Sequence, residues 1–410
     1  MARPENLQSG VSGSERPPRP KAAHPIEAAV GSWLETLPVG LLESVELTAA
    51  ELLAITPRRW VVYPPMVLLP AGSFGAEWAF LGLGDMSPHV ETLWELMLHR
   101  IGEKEGKGRL THLAVNSGIP SRKTPAPGAD RSPDREERAG AENILRTPSG
   151  LIMLHGHFGP RLSPEQEPTE TDFAAAFWVR TKQNGIVQIW APRYTMFSRG
   201  NVKEKARLLA FHTSGRTHGT RRLSSGSLES ASAIDLYAGI GYFVFSYAKM
   251  GLQKVVGWEL NPWSAEGLRR GALANGWSVK IVRDGTEADL RQHQIVVFVE
   301  DNRKAPARLP RPIASRAGLG DVKHINCGLL PTSARAWSTA LQLMQRDGWL
   351  HLHENVGRAD VPARSAEIER VLEAWLRAAQ DERVARVEHV ELVKTFAPGV
   401  WHCVFDVYIT

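Results

Sequence analysis

From Ala231 to the C-terminus, short apolar runs alternate with helix-length amphipathic stretches, and no other feature restricts the chain as much. Strands separated by helices run parallel, because the helical crossover carries the chain back to the edge of the sheet it left. The apolar runs predict strands over 233–236, 254–258, 295–298, 323–327 and 349–353. Asn261 is a capping acceptor, and Pro262 after it lacks only an N–H that a first helical turn leaves unpaired, so a helix starts there. Ile368, Val371, Leu372, Trp375 and Leu376 fall on one helical face, which predicts a helix packed on the sheet. Two β-rich stretches, 386–395 and 401–409, are joined by a turn containing Pro398 and Gly399 and close the chain as an antiparallel pair. Five parallel strands and this hairpin give a seven-stranded, mainly parallel α/β sheet.

A chain of 410 residues has room for two or three domains. Three stretches rich in Pro, Ser, Gly and charge divide it, since they bury too little apolar area to offset the entropy of ordering. These are a disordered arm over 1–25, a disordered insertion over 117–140 and a linker over 213–230. Between them lie an N-terminal α+β region over 26–116, a basic module over 141–212 and the alternating domain over 231–410. Hydrophobic content of 43% and charged content of 23% exclude a disordered or membrane class. No apolar run approaches the ~18 residues of a spanning helix, and the N-terminus lacks a signal-peptide pattern, so a cytoplasmic protein is expected. Cys327 and Cys403 have no CxxC spacing and are expected in strands, and His155 and His157 have no partners at metal-ligand spacing. Neither a disulfide framework nor a metal is expected.

The first predicted strand runs into Ile-Asp-Leu-Tyr-Ala-Gly-Ile-Gly-Tyr-Phe, residues 234–243. Gly239 and Gly241 allow a ligand to approach the backbone at a helix N-terminus. A pyrophosphate fingerprint wants a third glycine where Val244 stands, and no Walker lysine follows. Asp235 at the strand tip suits a positively charged ligand instead, which favours S-adenosylmethionine over NAD. Glu259, 20 residues after Gly239 at the end of the second strand, is placed to accept ribose hydroxyls. Asp301 and Asn302 end the third on the same edge, where an adenine amino group would lie. The bland alternative is a loop glycine with capping acids.

Between Arg180 and Arg222 stand ten Lys or Arg (180, 182, 193, 199, 203, 205, 207, 216, 221, 222) against one acid, Glu204, with Trp190, Tyr194 and Phe197 interleaved. Cations that bind phosphate and aromatics that stack on unpaired bases make an RNA-facing surface. A solvated helix face is the other reading.

Within this module, Tyr-Thr-Met-Phe-Ser-Arg-Gly-Asn-Val-Lys-Glu-Lys-Ala-Arg-Leu, residues 194–208, carries a resemblance. With 235–243, 258–262, 300–304, 326–333, 351–356 and 394–409, it resembles the tRNA wybutosine-synthesizing protein 2 family, aminocarboxypropyltransferases related to the tRNA guanine N1-methyltransferases acting beside the anticodon. The likeness is dense from 188 to 410. It implies a class I methyltransferase-like Rossmann fold that binds S-adenosylmethionine and donates its 3-amino-3-carboxypropyl group to a ring carbon of 4-demethylwyosine in tRNA(Phe). By the same resemblance the donor contacts fall on Ser198, Lys205, Glu259, Asp301 and Asn302; a grip of Ser198 and Lys205 on the methionine carboxylate, which would turn the γ-carbon toward the base, is the mechanistic expectation added to it. Glu204 matches a catalytic glutamate of the related methyltransferases, although Arg199-Gly200 replaces their Pro-Arg, and a salt bridge is its other reading. Residues 326–333 lack the Asn-Pro-Pro spacing of methyltransferases acting on purine nitrogens, leaving Asn326 a contact candidate. N1-methylation of guanosine and a non-catalytic tRNA-binding scaffold are the alternatives.

Overall fold

The structure, a computed structural model, describes residues 24–43, 46–82, 86–116, 143–148, 150–163, 166–213, 221–283, 289–309 and 318–410. Most of the expected arm, the expected insertion and residues 214–220 of the expected linker lie outside the described residues. The chain divides into two units, one of residues 1–59 with 73–109 and one of 60–72 with 110–410. Residues 60–72 and 110–116, grouped by composition with the N-terminal region, therefore belong to the larger unit.

In the smaller unit, the helix Pro25–Leu34 buries Ile26, Ala29, Val30 and Trp33, the repeat of one apolar face. It packs on the helix Ser87–Glu105, and Trp33 Nε1 donates to the His89 carbonyl at 2.8 Å. A capping box of Thr48 and Glu51 opens the short helix Ala49–Ala54.

Among its described residues the larger unit holds three sheets. Strands β1 (Val61–Tyr63), β2 (Met66–Leu69), β3 (His112–Val115) and β4 (Ile152–His155) form one in that order. Strands β5 (Val179–Gln183) and β6 (Ile186–Trp190) form an antiparallel hairpin. The third sheet contains β7 (Ala231–Asp235), β8 (Lys254–Trp258), β9 (Val279–Val282), β10 (Ile295–Phe298), β11 (Asp321–Cys327), β12 (Gly348–Gly357), β13 (Ala385–Ala397) and β14 (Val400–Ile409).

Its order is β13-β14-β12-β11-β7-β8-β10-β9, eight strands rather than the expected seven. The additional strand, β9, pairs in parallel with β10 at the sheet edge; Lys280 interrupts its Val-Lys-Ile-Val run, so it lacks the continuous apolar character of β10, a strand of the same length. All five expected parallel strands are present within a few residues, and β13 and β14 form the closing antiparallel hairpin. Ile234, Val256, Val296, Ile325 and Leu350 face one core layer, whereas Ala233, Val255, Ile295, Val297 and Trp349 face the other. Burial on both faces is why these strands read as continuous apolar runs. Cys327 and Cys403 are buried in β11 and β14.

The closing helix spans Val361–Ala378 and buries Ile368, Leu372 and Leu376. Trp375, expected on that face, is instead 39% exposed, a step too far around the helix to reach the sheet. From β7 the chain builds outward through β8 to β10 and β9, then crosses back to place β11 on the other side of β7. That reversal opens a crevice at the strands' carboxyl ends, where open α/β sheets bind ligands. Among the described residues, no helix is long and apolar enough to cross a membrane.

Candidate functional site

A cleft of about 770 Å³ occupies this switch point, within the size range of ligand pockets. Its floor is the loop that leaves β7. Gly239 and Gly241 there have φ of 55° and 91°, the left-handed region that glycine enters without steric cost. A Cβ at Gly241 would lie 2.5 Å from the Phe245 ring, so the turn is closed to any larger residue. The next helix, Val244–Met250, starts at the residue that replaces a third glycine.

Glu259 fastens this loop to the end of β8, accepting from the Gly239 N–H and the Asn261 N–H, both at 2.8 Å. Asn261 caps the helix Pro262–Ala274 as expected, its side chain accepting from Trp263 N. Burial raises the Glu259 pKa to about 7 against those two bonds, and the Asp235 charge adds to the rise. At the end of β10, Asp301 accepts from Arg303 N at 2.8 Å; the Arg303 guanidinium beside it holds the carboxyl below the ordinary range. Asn302 donates to the Leu236 carbonyl at 2.8 Å. On the opposite wall, Ser198 N–H donates to the Tyr242 hydroxyl, which donates to the Met196 carbonyl. The Ser198 hydroxyl does not cap the 3-10 turn Arg199–Asn201 that follows it. Ser198, Gly239, Glu259, Asp301 and Asn302 thus meet in one cleft.

Three expected residues are not on its wall. Asp235 is fully buried one layer below, because Asn326 Nδ2 and Tyr237 N–H, each at 3.1 Å, draw its Oδ1 into the sheet. Its Oδ2 has no partner among the described residues, and burial raises its pKa to about 6. Lys205 is buried behind Tyr242, its Nζ donating to Gln183 Oε1 at 2.7 Å and Gln188 Oε1 at 3.0 Å, and burial lowers it to about 8. Glu204 has both oxygens on the Arg207 guanidinium, which also bonds both oxygens of Asp406. Burial works against that guanidinium, yet Asp406 and Glu204 hold its pKa far above the ordinary range. The catalytic expectation for Glu204 is corrected accordingly: its salt-bridge reading is what the geometry shows. Asn326, the contact candidate, bonds Asp235 and His353 beneath the cleft.

The segment at 144–146 also belongs to the site. Ile144, Leu145 and Arg146 line the cleft, held by Arg146 donating to the Leu330 carbonyl and Asn261 Nδ2 donating to the Leu145 carbonyl. Ile144 and Leu145 are 61% and 36% exposed and Leu260 40%, an apolar rim. A polar neighbourhood hid them in the sequence, and only their exposure beside a cavity marks them.

The basic module divides similarly. Arg180, Lys182, Arg199, Lys203, Arg221 and Arg222 are exposed. Trp190 and Phe197, expected to stack on bases, are instead buried against Tyr63, and Tyr194 stacks on Trp263 at 3.7 Å. They are core residues, so any phosphate-binding surface here is made by the cations. Among the described residues no group of three or more His, Cys, Asp or Glu is placed to hold a metal ion.

The cleft fits a cationic nucleoside. Among the described residues its wall acid Glu259 has no cationic partner, the Oδ2 of the buried Asp235 beneath it is unpaired, and the glycine turn admits close approach. No family model matches the chain. It is 37% identical over 357 residues to tRNA wybutosine-synthesizing protein 2 of Schizosaccharomyces pombe, covering 86% of this chain and 72% of that protein. To the protein of the same name in Saccharomyces cerevisiae it is 30% identical over 406 residues, covering 89% and 77%. Among solved structures, P. horikoshii TYW2 in complex with MeSAdo superposes with a TM-score of 0.54 at 16% identity, over 94% of this chain and 98% of that one. Pyrococcus abyssi Trm5b superposes at 0.51 with 13% identity, over 89% and 79%. At such identities these neighbours speak to architecture alone, and they share the class I methyltransferase-like Rossmann fold expected from the sequence.

Proposed function

The chain belongs to the tRNA wybutosine-synthesizing protein 2 family, and from that premise we propose that it transfers the 3-amino-3-carboxypropyl group of S-adenosylmethionine to a ring carbon of 4-demethylwyosine beside the anticodon of tRNA(Phe). It is an S-adenosylmethionine-dependent transferase that modifies tRNA in wybutosine synthesis. The phenylalanine tRNA and a cytoplasmic site of action are the finer parts of the proposal. One observation carries the site assignment: Glu259, Asp301, Asn302, Gly239 and Ser198, from four separated stretches of chain, line one cleft at the sheet's switch point.

Bound there, S-adenosylmethionine supplies a sulfonium with three electrophilic carbons, of which the one held in line with the acceptor is transferred. Glu259 accepts from the ribose hydroxyls with the lone pairs its two backbone bonds leave over. Asp301 and Asn302 face the adenine, and Leu260, Ile144 and Leu145 keep water from its ring. Ser198 offers its free hydroxyl to the amino-acid carboxylate. Asp235 acts from below through its charge, and Lys205 acts by supporting the Phe197 and Tyr242 rings, from whose centres its Nζ lies 5.0 and 5.5 Å. Arg180, Lys182, Arg199 and Lys203 supply the phosphate-binding face.

The test is donor labelled in its methionine chain, incubated with tRNA from cells lacking the modification. Label in the RNA, with the mass of an aminocarboxypropyl group, is expected. A methyl increment on guanosine would replace the reading with N1-methylation, and failure to bind the donor in calorimetry would replace it with a scaffold role.

A further inference from the structure

Across the antiparallel end of the sheet runs a row of three polar side chains, two of which hold buried atoms without a partner among the described residues. Lys394 of β13, His402 of β14 and Asn355 of β12 stand opposite one another in register, so they share a face, with neighbours about 5 Å apart. Among the described residues both amide atoms of Asn355 are buried without a partner, and so is Nδ1 of His402, a side chain with no exposed surface. Asn201 Oδ1, on the cleft wall, is likewise buried and unpaired. Lys394 is half-buried, and burial lowers its pKa with no carboxylate opposing the shift. The 3-10 turn Arg199–Asn201 closes over the row: a Cβ at Gly200 would lie 2.5 Å from Lys394 Nζ.

The protonation of His402 follows from its partners. Asn326 gives Nδ2 to Asp235 and so turns Oδ1 toward His353 Nε2, which must carry the hydrogen. Burial pushes both His353 and His402 down to about 3, so both rings are neutral at pH 7. His353 Nδ1 is then a bare acceptor, and His402 Nε2, 3.0 Å away, donates to it. His402 Nδ1 is left as a lone pair, with nothing to accept from.

Unsatisfied buried polar groups are costly, and several in one place call for a partner that arrives from outside. We infer that Asn355, His402, Lys394 and Asn201 form the acceptor-base subsite, which binds the polar edge of a flat heterocycle bearing both a carbonyl and an N–H. Asn355 offers a donor and an acceptor side by side, the arrangement that pairs bidentately with a base edge. His402 Nδ1 and Asn201 Oδ1 accept N–H groups, and Lys394 donates to the carbonyl. Asn201 belongs to both subsite and cleft, and the Phe243 ring, a cleft wall, lies 5.0 Å from that of His353. In the free chain the atoms are shielded, so the base enters by displacing the turn that carries Gly200.

This inference rests on the proposed reaction and deepens it. The test uses the full chain, labelled S-adenosylmethionine and two probes, tRNA(Phe) bearing 4-demethylwyosine and the same tRNA bearing guanosine at that position. Asn355→Asp, which keeps shape but loses the donor, and Lys394→Met are each expected to lower kcat/KM about tenfold or more. Calorimetric donor affinity should stay within about twofold, and the variants should lose the wild type's tighter binding of the modified tRNA. Unchanged kcat/KM and discrimination in both variants would overturn the inference and leave water as what satisfies these atoms. A parallel loss of donor affinity would overturn it too, assigning the row to the donor. If the wild-type chain labels neither tRNA, the proposed reaction itself fails, a result distinct from either.

Discussion

The two halves of the large sheet use polar groups in opposite ways. At the carboxyl ends of β7 and β8, carboxylates stand without a cationic partner among the described residues: burial raises Glu259 and Asp235 to about 7 and 6, whereas Asp301 and Glu300 after β10 are paired with Arg303 and Arg308. Across β11 to β14, buried polar residues are mostly spent on one another. His212, His324 and His351 hydrogen-bond in series, ending on Asp406, which Arg207 joins to Glu204. The first half stores a cost that a cationic ligand can relieve. The second is a closed network in which removing one member strands the others, and its exceptions, Asn355 and His402, are where a partner is missing.

The comparison breaks most visibly at Arg207. Arg207→Met takes away the guanidinium that bonds both oxygens of Glu204 and leaves Asp406 with His351 but without its cation, and should cost about 3–5 kcal/mol, read as a lower urea midpoint with donor affinity of the folded fraction unchanged. A loss of donor affinity without a loss of stability would erase the distinction between the halves. Glu259→Ala is the converse. Removing charge-assisted bonds worth about 1.5–3 kcal/mol should weaken donor binding about 10- to 100-fold by calorimetry, a larger loss than the fall in the free protein's midpoint caused by stranding the Gly239 and Asn261 N–H groups.

Titration should separate the halves by sign. The donor is a cation and prefers ionised Glu259 and Asp235, so its Kd should rise roughly tenfold between pH 8 and pH 5.5 as those groups take up protons. For folding, a raised carboxylate contributes stability fully present below its unfolded pKa and lost as pH rises through about 6 for Asp235 and about 7 for Glu259. His353 and His402 run the other way, contributing stability present above about 6.5 and lost as pH falls toward about 3. Unfolding free energies with and without saturating donor, at pH 5 and pH 8, should show the donor's stabilisation shrinking at the lower pH. Equal stabilisation at both would remove the acids from the donor site. The smallest effect is expected at Lys205. Lys205→Met should cost about 1 kcal/mol in stability through its two lost glutamine bonds and change donor Kd about twofold. A tenfold loss would put Lys205 directly on the donor.

What the sequence made legible was the part whose signals are local. Valine-rich runs mark strands buried on both faces, Asn261 with Pro262 marks a helix start, and acids at strand ends mark one edge of the sheet. Side-chain direction was not legible. Asp235 sits at a strand tip as expected but is turned inward by Asn326, 91 residues away. Glu204 is claimed by Arg207, whose other partner lies 199 residues on in sequence. Trp190 and Phe197 read as interleaved aromatics because neighbouring cations say nothing about which face each residue takes. The row of Asn355, His402 and Lys394 is a product of strand register, and the spacing of those residues along the chain holds no trace of it.

Arg207 fixes the helix Val202–Leu209 to β14 from within, while Lys203 of the same helix faces solvent and Ser198, just before it, borders the cleft. A phosphate drawn onto Lys203 therefore pulls on a bolted beam. If Lys203 holds the nucleic acid and Ser198 the small molecule, as proposed, the two grips share a foundation, and tension on the outer one need not loosen the inner.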